Sequence, residues 1–135
     1  MLRKINQILN MPELGKLILR VSFGAMMLFH GRFKIINGVG GIEKMLSAHG
    51  YPTILAYGYW ITEVAAPILM VIGLWTRISA LAVAGGMVVA TYLVGTDLLG
   101  VTAVGAWDAE KTAVYLFACL ATALLGSGRY ALRRD

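Results

Sequence analysis

Residues 54–96 read ILAYGYWITEVAAPILMVIGLWTRISALAVAGGMVVATYLVGT, and this stretch decides the fold. It holds two apolar runs, 54–75 and 78–96, parted only by Thr76 and Arg77. The first run carries one charge, Glu63, and the second carries none. A helix rises about 1.5 Å per residue, so about 20 apolar residues cross the hydrocarbon core of a bilayer. Both runs meet that length, and the tight connection turns one back beside the other.

Working outward, two further apolar segments flank this pair. The one at 14–36 is interrupted by Lys16, Arg20, His30, Arg32 and Lys34. The one at 111–126 is free of charge after Lys111. Both suffice as membrane helices if their long basic side chains snorkel at the ends or the helices tilt. The sequence therefore predicts an all-α, polytopic membrane protein: a four-transmembrane-helix bundle forming one domain over 1–135. Leu2, Ile5, Ile8 and Leu9 fall on one face of a short stretch before Pro12, with Arg3 and Lys4 off that face. This pattern predicts a short N-terminal interfacial helix, ended by Pro12. Arg20 inside the first segment, with no A-x-A-like site after it, argues against a cleaved signal peptide.

Composition agrees. Of the 135 residues, 59% are hydrophobic and 14% charged, against about 45–50% and about 25% in soluble domains. Mean hydropathy is +0.73. A globule this small lacks the interior to hide so much apolar surface, whereas lipid accepts it. The single cysteine, Cys119, excludes an internal disulfide and cysteine-rich metal sites. No metal site is expected. The net charge of +5 comes from basic residues at segment ends, with no aromatic interleaving, so nucleic acid is not an expected partner. One side carries Arg3, Lys4, Lys16, Arg77, Arg129, Arg133 and Arg134; the other carries Arg32, Lys34, Lys44 and Lys111. The heavier side is expected in the cytoplasm, with both termini.

Two connections on the lighter side stand out. Residues 42–49 predict a short amphipathic helix stopped by Gly50. Residues 97–110, apolar apart from the ends and Asp108, are expected to fold back as a lid over the bundle, bringing Trp107 with them. Gly73-Leu-Trp-Thr-Arg77 and Gly126-Ser-Gly-Arg129 form a faint repeat, each ending a helix with Gly and then Arg.

Ionisable groups at membrane depth are costly and need a partner or a task. Helical rise places Glu63 near the midplane and Arg20 within its reach from the other side, so an Arg20–Glu63 pair is expected. At 100° per residue, Arg20, Gly24, Met27, His30, Gly31 and Lys34 share one stripe. Tyr59, Trp60, Glu63, Pro67 and Met70 share a face of the second helix. Pro67 has no N–H for the Glu63 carbonyl, so a kink is expected there. The expected site is a polar, aromatic-lined pocket between the first two helices. A structural ion pair fits the same residues about as well. His30 at a helix end and Met residues as packing are the plainer readings of those side chains, as inert packing is of Cys119.

The order and spacing of several motifs resemble the DoxX family of small four-helix bacterial membrane proteins. They are Leu19-Arg20-Val-Ser-Phe-Gly24, His30-Gly31-Arg-Phe-Lys34, Gly38 to Gly41, Gly50-Tyr-Pro52, Glu63, Gly73-Leu-Trp-Thr-Arg77 and Leu124-Leu-Gly126-Ser-Gly128-Arg129-Tyr130-Ala-Leu132. Ser127 stands where the family usually has Pro, and Ala131 where it often has Ser. The resemblance implies an inner-membrane, oxidoreductase-like protein; some members of the family are linked to soluble sulfurtransferases or dismutases. The expected function is a membrane oxidoreductase-associated subunit binding a quinone head group. Glu63, His30 and Arg20 would be its catalytic groups, and Lys34, Tyr59, Trp60 and Trp107 would line the cofactor. No electron carrier is encoded in the chain, so a soluble redox partner or the quinone itself must supply electrons. The competing expectations are a non-catalytic scaffold that docks a soluble redox or sulfur-transfer enzyme, and a proton-coupled small-solute carrier. A homo-oligomer suits the last, because four helices make a narrow pore.

Overall fold

The computed structural model describes residues 1–135. Six α-helices are present: α1 (Leu2–Leu9), α2 (Pro12–Asn37), α3 (Gly40–Ala48), α4 (Ala66–Ile72), α5 (Thr76–Val94) and α6 (Glu110–Leu125). A 3₁₀ segment, Thr53–Gly58, and a π-helical segment, Trp60–Ala65, lead into α4. Together they make the continuous helix Thr53–Ile72. There is no sheet beyond one isolated bridge, Val101 to Trp107.

The long helices close into a ring. α2 packs on α4, α4 on α5, α5 on α6, and α6 returns to α2. Thr53–Ile72 and α5 are long and apolar enough to cross a membrane. Only 33% and 28% of their apolar windows are buried, which separates them from the core helices of a soluble protein. The bundle is apolar outside: Phe29 and Phe33 of α2, Ile78 and Val89 of α5, and Phe117 and Leu124 of α6 are all exposed. The interior is built from small and flexible residues, with Met27, Ala66, Met70, Ala80, Ala84 and Cys119 at the centre. Without a hydrophobic drive between helices in lipid, such residues gain contact by letting backbones approach. Met27, Met70 and Met87 fill the core, as packing methionines do.

Glycines set the closest approach. A Cβ on Gly24 would lie 3.0 Å from the Pro67 carbonyl, and one on Gly31 would run into the Glu63 carbonyl. Gly86 backs onto Thr62, whereas Gly85 faces open space, so only one member of that pair is a packing glycine.

Leu2–Leu9 form the short helix α1, and none of its residues is buried. Pro12 does more than end it: Pro12 opens α2, where its missing N–H costs nothing. The expected 42–49 helix is α3, followed by Gly50 at φ 76°. Its Leu46 joins Val39, Ala56, Tyr59 and Leu93 in a second apolar cluster at that end of the bundle.

The lid expectation fails. Residues 97–109 form a self-contained loop in which Thr102 N–H donates to the Ala106 carbonyl at 2.7 Å and Asp108 N–H to that of Gly100 at 3.0 Å. Trp107 Nε1 donates to the Leu98 carbonyl at 2.9 Å. Having satisfied its own backbone, the loop turns its apolar side chains outward: Leu99 is 94% and Val104 89% exposed.

Candidate functional site

Two polar centres lie within the bundle, seven residues apart along the second helix. The first belongs to Arg20, which is 1% exposed. Its guanidinium has no carboxylate partner. Nε donates to the Ser127 carbonyl at 3.1 Å, and Nη1 donates to the carbonyls of Met70 at 3.0 Å and Val71 at 2.6 Å. Nη2 donates to the Tyr130 carbonyl. Met70 and Val71 lie in the last turn of α4, where the Met70 carbonyl has only the Gly73 N–H at 3.2 Å, and a cation there also meets the negative end of the helix dipole. Arg20 is thus a cap that ties α2, α4 and the C-terminal tail together.

The expected Arg20–Glu63 pair is therefore corrected. The cause is register. Gly24 faces Pro67 and Gly31 faces Glu63, so Arg20 comes level with 70–71. At about 1.5 Å per residue that leaves it roughly 10 Å from Glu63 along the axis. Equating depths from opposite membrane faces did not capture how far α2 extends.

Glu63 pairs instead with Lys34, whose Nζ donates to Glu63 Oε1. The Glu63 residue is 8% exposed, and its second carboxylate oxygen, Oε2, is buried without a hydrogen-bond partner. The backbone here is unusual for a reason in the sequence. Pro67 cannot donate to the carbonyl four residues back, and the chain answers with the wide π turn Trp60–Ala65. The expected kink is this π segment. It leaves the Glu63 carbonyl against Gly31 and puts the Glu63 side chain on the α2 side, in reach of Lys34.

Of the other expected site residues, Tyr59 is buried one turn before Glu63, with its ring tilted against that of half-exposed Trp60 at 5.3 Å between centroids. His30 is not brought to the pair. Its exposed ring lies edge-on to Tyr115 of α6, at 5.9 Å. Trp107 stays in its own loop. The structure thus unites Lys34 and Glu63, with Tyr59 and Trp60 adjacent along the helix, and separates Arg20, His30 and Trp107 from them. No cluster of metal-ligating side chains is present.

The sequence reading missed the tail network beside Arg20. Arg77 Nη1 caps α6 through the carbonyls of Ala123 at 2.6 Å and Leu124 at 2.9 Å. Asp135 accepts the Arg77 N–H at 3.1 Å and the Ser127 N–H at 3.0 Å. Burial pushes the Asp135 carboxyl up, but these N–H donors and the Ser127 hydroxyl outweigh it and hold it below its ordinary value. Glu13 is held low as well, by its hydrogen bond to Lys16 and then by the Arg129 N–H at 2.5 Å. Leu132 and Arg133 add N–H bonds to the carbonyls of Ile72 and Gly73. The signal was the Gly-then-Arg repeat: Gly73 and Gly126 both take positive φ, 73° and 79°, where their helices end.

The bundle and its buried ion pair define a small all-helical protein with membrane-type helices. The DoxX family model matches residues 15–96, more than half of the chain, and the chain belongs to that family. No curated protein and no solved structure gives a significant match.

Proposed function

We propose that the chain is a four-span inner-membrane subunit of an oxidoreductase system, with both termini in the cytoplasm, that binds a quinone head group beside Lys34 and Glu63. One observation carries the reading: a nearly buried carboxylate holds a lysine on one oxygen and leaves the other, Glu63 Oε2, unpartnered. A buried orphan acceptor costs about 1–3 kcal/mol, more when charged, so a ligand or proton at that atom would account for it. The donor set fits the head group. Lys34 has two ammonium hydrogens beyond the one given to Glu63, enough for a carbonyl oxygen. Glu63 Oε2 is an acceptor for a proton leaving or reaching that oxygen, and the Tyr59 and Trp60 rings offer stacking faces one turn away. A bound quinone would supply the two-electron redox chemistry, which no residue of this chain provides.

The membrane assignment rests on the apolar exterior, and the orientation rests on charge. The end bearing both termini holds eight of the twelve basic residues against Glu13 and Asp135; the other end holds four against five acidic residues. Such an asymmetry favours the basic end inside.

The test is purification in mild detergent, organic extraction and mass spectrometry for quinone, comparing wild type with Glu63→Gln and Lys34→Met. Near-stoichiometric quinone, lost in folded variants, supports the site. Quinone absent from wild type refutes it. A second reading is a scaffold that docks a soluble redox or sulfur-transfer enzyme, favoured by the outward Leu99 and Val104; it predicts a co-purifying protein insensitive to Glu63→Gln.

A further inference from the structure

The end of the bundle that carries both chain termini has more cations than it uses. The molecule contains two ion pairs, Lys16–Glu13 and Lys34–Glu63. Arg20 and Arg77 spend their guanidinium groups on helix carbonyls. Glu13 and Asp135, the acidic side chains of this end, are engaged by Lys16 and by backbone N–H groups of Arg77, Ser127 and Arg129. Arg129, Arg133 and Arg134 are exposed on the folded-back tail, and Arg3 and Lys4 are exposed on α1, with no carboxylate paired to any of them. A shallow recess lies among Lys16, Arg77, Arg129 and Arg134, with Glu13 and Asp135 also on its wall.

The apolar face of α1 adds an independent observation. Leu2, Ile5, Ile8 and Leu9 are all exposed, and nothing in the chain covers them. An apolar stripe flanked by cations, at the mouth of a bundle with an apolar exterior, matches the boundary between acyl chains and phosphates. A soluble acidic partner would satisfy the cations and leave the stripe in water.

We propose that this end is a binding surface for anionic phospholipid headgroups. The α1 face inserts at the acyl boundary, and Arg129, Arg133 and Arg134 engage the phosphates. The inference rests on the membrane reading above and is independent of the quinone site. Each basic residue near an anionic surface gives about 1 kcal/mol, a factor of about five. Losing the three tail arginines should therefore lower the preference for anionic over zwitterionic lipid by about a hundredfold at low salt, and salt should weaken it in the intact protein.

The experiment is native mass spectrometry of the full chain in mild detergent, with phosphatidylglycerol and phosphatidylcholine in competition. The proteins are wild type, R129Q/R133Q/R134Q and R129K/R133K/R134K. Expected are selective phosphatidylglycerol adducts on wild type, reduced by raised salt, retained largely by the lysine variant and lost in the glutamine variant. The tail's backbone bonds to Ile72 and Gly73 do not involve these side chains, and the salt series needs no variant. Equal retention of both lipids by wild type overturns the proposal while leaving the membrane reading intact. Retention of neither lipid overturns both. A phosphatidylglycerol preference that survives all three Arg→Gln changes overturns the assignment to this surface.

Discussion

Arg20→Met tests most directly whether Arg20 is a cap, as its contacts indicate, or a site residue, as its place in the polar stripe suggested. Methionine keeps most of the length and removes every donor. Four carbonyls then lose the arginine, and that of Met70 keeps the Gly73 N–H at 3.2 Å. The Ser127 and Met70 bonds are buried, whereas those to Val71 and Tyr130 are only partly so and can turn to water. One orphaned buried acceptor, the Ser127 carbonyl, gives a loss of about 1–3 kcal/mol. A central value of about 2 kcal/mol corresponds to roughly a thirtyfold rise in the opened population. Cys119 supplies the assay, being the only cysteine and lying in the central cluster. Its labelling by a thiol reagent in mild detergent reports bundle opening, and hydrogen exchange at Leu132 and Arg133 reports release of the tail. Labelling should accelerate sharply in Arg20→Met, and both amides should lose protection. Wild-type labelling and protection, together with a lost ligand or activity, would refute the capping argument and return Arg20 to the site.

Lys34→Met and Glu63→Gln each break a largely buried pair. Loss of one partner costs about 3–5 kcal/mol in a closed interior, and the 23% exposure of the Lys34 side chain moves the expected loss to the low end. The double variant Lys34→Met/Glu63→Leu should regain most of the stability, measured by Cys119 labelling, without regaining bound quinone; a double variant as unstable as the sum of the singles would show the pair to be uncoupled. Gly31→Val should force α2 off the second helix, because its Cβ meets the Glu63 carbonyl, at about 1–3 kcal/mol or more. Gly40→Ala, with nothing near its Cβ, should be silent when both variants are compared by Cys119 labelling, and equal effects would discredit the glycine contact. Acid should release the tail. Glu13 and Asp135 are both held below their ordinary values of 4.5 and 3.8, so their contribution is complete above that range and disappears as pH falls below it. Exchange at Leu132 should stay slow at pH 5 and accelerate below about pH 4; loss of protection between pH 7 and 5 would contradict the assignment.

The all-helical character and the buried stripe of α2 were legible because they depend on local period. Arg20, Gly24, Met27 and Gly31 of that stripe are all buried, and Pro67 marked the distortion beside Glu63. Partner choice was not legible, because it depends on axial register. A slip of about two turns between α2 and the second helix would bring Arg20 level with Glu63 and carry Lys34 past it, and no period in either helix records the offset. Gly24 and Gly31 held the missing signal, since glycines seven apart on the facing stripe mark where backbones touch. His30 shows the angular version of the same limit. It falls within the predicted stripe yet is rotated far enough to reach Tyr115 of α6. The 97–109 loop was misread for a different reason. Apolarity argues that a loop avoids water, but it does not say whether protein or lipid provides the shelter.

Arginine performs one task twice in this bundle. Arg20 reaches from α2 to close α4, and Arg77 reaches from α5 to close α6. In both cases a guanidinium meets the carbonyls that a helix end cannot satisfy itself, and its planar fork of donors suits several acceptors at once. Both lie toward the basic end, and helix-end chemistry accounts for each of them. It does not account for Lys34 and Glu63. Lys34 stands in the last turn of α2, yet its ammonium goes to a side chain of the neighbouring helix rather than to a helix carbonyl, and the pair leaves Glu63 Oε2 without a partner. A purely structural pair gains by satisfying every lone pair, since each orphan subtracts from what the contact contributes. The buried charge at the basic end, Arg20, is fully partnered, and the orphan there is the neutral Thr76 hydroxyl, whereas the orphan beside the π turn is a carboxylate oxygen. A charged group costs more to leave unmatched than a hydroxyl, and that contrast is why the proposed site is placed at Glu63.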